Sequence, residues 1–124
     1  MAASDSMLFH IDQIVVDGKP IAFEDGTGML SGAARYENEV VASASGDDFN
    51  KRKRVPTLFK AKIQFGPAVN PADYAAMGGV QISGRDAQSG RRALMNNCSF
   101  GQMGEIGGGS VDVTFNVLAP VQWL

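Results

Sequence analysis

A mainly β fold, a sandwich or barrel with one short flanking α-helix and a long β-hairpin arm, is what the patterning of this chain demands. Three observations carry it. Ser110 to Val117 alternates without a break, with Val111, Val113, Phe115 and Val117 on one side and Ser110, Asp112, Thr114 and Asn116 on the other, the signature of a strand with one buried and one wet face. Fifteen glycines separate short alternating segments, as in all-β domains. The only good helix signal is brief: Asn70 as N-cap, Pro71 at the first helical position, Asp73 in the first turn and Gly78 as the stop after Met77. Two turns are too few to stand alone, so helix 71–77 must dock on the sheet.

Taken in order, Met7 to Val16 reads as the first strand, with Phe9, Ile11, Ile14 and Val16 out of strict alternation and hence a bulge expected near Asp12-Gln13. Asp17-Gly18 is a hairpin turn leading to a short strand at Ile21 to Phe23. Glu24 to Gly32 is a glycine-rich loop; its Gly26-Thr27-Gly28 lacks both the Lys-Ser/Thr of a phosphate loop and dinucleotide spacing. Glu37 to Ser45 is weakly strand-like, and Gly46 to Arg54 reads as the tip of an arm spanning about residues 40–65. Val55 to Phe65 returns as a strand with Thr57, Phe59, Ala61, Ile63 and Phe65 on one face, and Pro56 marks its start or an edge. A hairpin that long, at roughly 3.3 Å per residue, extends past the body unless another chain receives it. After the helix come Val80 and Ile82, a turn over Gly84 to Gly90, and Arg92 to Phe100, where Leu94, Cys98 and Phe100 share one face and Ala93 and Met95 the other. That last strand is expected to be covered on both sides.

Composition narrows the function. With 124 residues the chain is read as one domain, 1–124, with an N-terminal arm at 1–8. One cysteine, Cys98, forbids an intrachain disulfide and a cysteine-rich zinc site. The start, MAASDSML, lacks a basic n-region and no apolar run reaches a membrane span, so synthesis in the cytoplasm and no membrane partner are expected. His10, the single histidine, sits among apolar neighbours, Cys98 lies on a strand face, and the carboxylates form no acid–base pair. No enzyme, cofactor or metal centre is read.

Charge is the remaining signal. Up to Asp48 nine acids face only Lys19 and Arg35, a net −7; from Phe49 to Arg92 nine bases face Asp73 and Asp86, a net +7. Opposite charges could neutralise one another on one surface, or acidic and basic faces could draw copies together head to tail. The concentrated run is Lys51-Arg52-Lys53-Arg54, flanked by Asp47 and Asp48, with Arg85, Arg91 and Arg92 further on. These nine residues are the candidate contacts between subunits. Four adjacent cations could also hold phosphates, although only Phe49 and Phe59 lie near for base stacking.

The order of elements, with "NPADYAAM", "SGRDAQSGRRALMNNCSF" and the closing "GGGSVDVTFNV", resembles the tail tube proteins of contractile-tailed phages, especially the small Mu-like family. The resemblance implies a β-barrel with a flanking helix, assembled as stacked hexameric rings. It implies a virion tail component whose partners are itself, sheath, tape-measure and baseplate proteins, with DNA passing the lumen without specific binding. Type VI secretion and contractile bacteriocin tubes share that architecture. The alternative in another class is a small nucleic-acid-binding β module using the basic tip.

Overall fold

The computed structural model describes residues 7–124; residues 1–6 of the expected N-terminal arm fall outside them. Its ten strands and one helix confirm a mainly β chain. The centre is an antiparallel pair, β6 (Thr57–Gln64) and β9 (Ser110–Val117), in unbroken register from Thr57 opposite Val117 to Gln64 opposite Ser110. Both alternate as the sequence requires, so Phe59, Ala61, Ile63, Val111, Val113 and Phe115 turn to one core. The Phe59 and Phe115 rings stack there with centroids 6.5 Å apart.

The sheet runs β2 (Lys19–Ile21), β1 (Gln13–Val16), β7 (Gly78–Arg85), β8 (Arg92–Met103), β9, β6 and β3 (Met29–Ser31). Its ends then meet. Just past β2, Phe23 bridges Ile63, the Gln64 N–H donates to the Ala22 carbonyl at 3.0 Å, and the Glu24 N–H to the Lys62 carbonyl at 2.8 Å. The sheet is therefore closed into a barrel around its core, which removes free edges from its long strands. The β1–β2 turn uses Asp17 and Gly18 at φ +52° and +85°, the left-handed pair of a two-residue hairpin. Ile11 and Ile14 are both buried with Asp12 and Gln13 exposed between them, so the break in alternation falls just before β1.

Two expectations change, one along β8 and one at the helix. Ala93, Met95 and Cys98 are all fully buried, so the strand does not present two half-apolar faces. Ile82 pairs with Met95 and Val80 with Cys98. Two residues of β7 thus span three of β8, and the extra residue at Asn96-Asn97 flips the parity as far as Phe100, where a second shift before Gln102 flips it back. Burial pushes the Cys98 thiol up to about 11, where it is an inert apolar group. The helix α1 (Pro71–Ala75) is also shorter than 71–77. The Asn70 side chain accepts from the Ala72 N–H at 3.1 Å as foreseen, but the Phe100 N–H captures the Met77 carbonyl for the sheet. The left-handed residue is Gly79, φ +69°, and not Gly78, which already belongs to β7. The helix docks through Tyr74, whose ring lies 6.3 Å from that of Phe115.

The arm is bounded differently as well. It consists of β4 (Tyr36–Val41) and β5 (Phe49–Arg54), which pair only with each other. Val55 to Phe65 is no part of it, because β6 has neighbours on both sides in the barrel. A strand whose alternate residues Thr57, Phe59, Ala61 and Ile63 all turn inward needs a body to turn them into. The neck between the two parts is short. The Val55 N–H donates to the Arg35 carbonyl at 2.8 Å, while the Gly32 carbonyl accepts from the Arg35 N–H at 3.0 Å and the Thr57 hydroxyl at 2.9 Å. Gly32 has φ +70°, and a Cβ there would lie 2.2 Å from the Pro56 carbonyl oxygen. Gly32→Ala should therefore cost the left-handed backbone term of about 1–3 kcal/mol plus a backbone clash. Gly46→Ala, at φ +94° in open space, should cost the backbone term alone. Thermal unfolding of the two variants side by side checks this ordering.

Candidate assembly interface

Strand pairing fixes what the arm presents. All twelve residues of β4 and β5 are exposed. Their register sets Tyr36 against Arg54, Glu37 against Lys53, Asn38 against Arg52, Glu39 against Lys51, Val40 against Asn50 and Val41 against Phe49. Side chains alternate across a ribbon, and directly opposed residues share a face. One face accordingly carries Glu37, Glu39, Val41, Phe49, Lys51 and Lys53, with two acids opposed to two bases. The other carries Tyr36, Asn38, Val40, Asn50, Arg52 and Arg54, with two cations and no carboxylate. On that face the Arg52 guanidinium lies 4.0 Å from the Tyr36 ring centroid, a cation–π contact. Beside it the Asn50 amide donates to the Asn38 side-chain oxygen at 3.2 Å.

The run that is contiguous in sequence is thus divided in space. Part of the sequence's charge segregation also dissolves, since two of the N-terminal acids stand directly across from two of the central bases. Asp47 and Asp48 are exposed in the loop joining the two strands. The ribbon is amphipathic in a second sense. Phe49 and Val40 are 63% and 71% exposed, so its outer half offers uncovered apolar surface on both faces.

Arg85, Arg91 and Arg92 form a separate group at the far turn of β7 and β8. Arg85 and Arg92 are register partners, and the Arg92 backbone exchanges hydrogen bonds with Leu124 at 2.9 and 3.0 Å. The Arg91 guanidinium lies 4.8 Å from the Trp123 ring centroid. Phe9 meets the same ring edge-on at 5.3 Å. Sequence reasoning gave Trp123 no role; its partners are far away in the chain, so no local pattern announces them. The neighbouring hollow of about 250 Å³ is lined by Phe9, Ile11, Met29, Leu30 and Trp123 among others.

The turn below that group is held by Asp86, almost inaccessible to solvent. Burial alone would raise its carboxyl pKa, but donation from the Ser89 hydroxyl and from the backbone N–H groups of Gln88 and His10 outweighs this and holds it below the usual range. The His10 ring in turn sits 3.1 Å from Asp25, and this hydrogen bond raises the histidine pKa. A raised folded value means that the contribution is complete below the unfolded histidine pKa and disappears as pH climbs through the folded one. Asp25→Asn should bring His10 back toward its ordinary value, measured by NMR titration of the imidazole. An unchanged titration would show that Asp25 does not set it.

Among the described residues, no three His, Cys, Asp or Glu side chains gather as a metal ion would require. No protein-family model and no curated protein matches this sequence. Solved structures do share the fold. A chain of the PVC sheath–tube complex of an extracellular contractile injection system, in the extended state, aligns with a TM-score of 0.60 at 12% identity, covering 100% of this chain and 98% of that one. A chain from the PVC sheath/tube terminator aligns at 0.59 with 11% identity over 95% of each. The tube-terminating cap of the anti-feeding prophage gives 0.56 and 11% identity, over 100% of this chain and 99% of that chain.

Proposed function

We propose that this chain is a structural subunit that polymerises into the tube of a contractile injection apparatus, as stacked rings of six copies around a bore. The observation that carries the reading is the arm: a finished barrel bears a two-stranded ribbon that its own body does not cover. An isolated hairpin of this kind is marginal in water, and its outer edges and apolar outer half are the surfaces another chain would stabilise. The unlike surfaces of arm and barrel suit a heterologous contact, which closes into rings or runs on as a filament. End-to-end likeness to chains of contractile injection assemblies supports the same reading.

In this reading, contacts between subunits are drawn from among the acidic and basic candidates, with sheath outside and tape-measure and baseplate proteins at the ends of the tube. A phage tail delivering DNA and the tube of a secretion system or bacteriocin both fall within this reading. The rival reading of a nucleic-acid module loses its main support, since strand alternation sends two of the four cations to each face. Negative-stain microscopy of the purified protein across concentration and salt tests the proposal. Rings or hollow tubes are expected; a solitary particle of about 13 kDa under every condition would sink it.

A further inference from the structure

We infer that, of the arm's four cations, Arg52 and Arg54 recognise a second copy of this chain, and that Lys51 and Lys53 serve to balance the arm internally. The inference rests on the tube reading and specifies its contact chemistry. All four residues are exposed and adjacent in sequence, yet their surroundings differ in kind. Lys51 and Lys53 stand directly opposite Glu39 and Glu37, so their face carries no net charge whether or not a partner is present, even though neither pair closes within 4.0 Å. Arg52 and Arg54 stand opposite Asn38 and Tyr36. Their face holds two positive charges, and the groups it adds, two asparagine amides, a valine and a tyrosine, supply no negative one.

That composition is suited to a protein contact. Tyrosine and arginine are the residue types that dominate interface energetics, and a guanidinium offers a planar fork of donors to carboxylates where an ammonium offers a point charge. Arg52 is already parked over Tyr36, which limits the freedom it would lose on docking. The amide pair Asn38–Asn50 leaves further donors and acceptors facing outward. The acceptor is available on the chain itself. Asp17, Asp47, Asp48, Asp73 and Glu105 are exposed, and among the described residues the ion pairs within 4.0 Å are only His10–Asp25 and Lys62–Glu24. A cationic face and a supply of free carboxylates on one molecule are complementary from copy to copy, in the head-to-tail sense a growing tube needs.

The test compares two charge-matched double variants, R52Q/R54Q and K51Q/K53Q, with the intact protein. The readouts are the critical concentration for assembly, by sedimentation, and its dependence on salt. Each variant removes two positive charges, so a general loss of attraction affects both equally. R52Q/R54Q should raise the critical concentration about tenfold or more and flatten its salt dependence, while K51Q/K53Q should stay within about twofold of the intact chain. Thermal unfolding of the unassembled proteins confirms that neither variant disturbs the barrel. Equal loss in both variants, or no loss in R52Q/R54Q, overturns the inference while leaving the tube reading intact. Failure of the intact chain to assemble overturns the tube reading and this inference with it.

Discussion

Replacing residues 36–54 with Asn-Gly should leave a barrel that melts within about 3 °C of the intact chain and forms no rings or tubes. The neck makes this deletion unusually clean. With two residues between Arg35 and Val55, the existing Val55 N–H to Arg35 carbonyl hydrogen bond becomes the closing bond of a two-residue turn, for which Asn-Gly is the favoured pair. The arm contributes nothing to the core cluster, and the residues anchoring the neck, Gly32 and Thr57, stay in place. Differential scanning calorimetry and electron microscopy on one preparation read both halves of the expectation. A truncated chain that still forms tubes would move assembly from the arm to the barrel. A truncated chain that fails to fold would show the ribbon to be part of the body.

Phe115→Ala should have the opposite signature, with stability lost at the centre of the molecule. Phe115 is wholly buried between Phe59 and Tyr74, so it ties the β6–β9 pair to the helix. Emptying such a site costs about 3–5 kcal/mol, a large part of the roughly 5–15 kcal/mol available to a domain of ordinary stability. The melting temperature should fall by more than about 10 °C. Phe49→Ala provides the contrast, because that ring lies on the arm and is 63% exposed. Its stability change should stay within about 0.5 kcal/mol. A large loss at Phe49 would mean that the arm folds back on the barrel in solution.

What could be read from the chain and what could not divide along physical lines. The β6 and β9 strands, the Asp17-Gly18 turn and the Asn70-Pro71 helix start follow from chemistry within a few residues, and all three stand in the fold. The bulge at Asn96-Asn97 is set by pairing with β7, so period-two counting along β8 alone misassigns the faces on one side of it. The closing bridge from Phe23 to Ile63 joins residues forty positions apart and has no local mark. For the candidate interface, composition located the basic run, yet its meaning depended on the register with β4. Glu37 and Glu39 were visible as acids, but nothing in their spacing says that they face Lys53 and Lys51 and leave the arginines unopposed.

Barrel closure also bears on what happens when many copies share a crowded compartment. Because the long barrel strands have neighbours on both sides, a stray molecule finds little on the body to template against, and the six-residue borders of β4 and β5 remain the longest open ones. Strand-to-strand pairing between copies would then be confined to the arm, and contacts to the barrel would have to be made by side chains, which keeps crowded molecules from fusing edge to edge into disordered clumps.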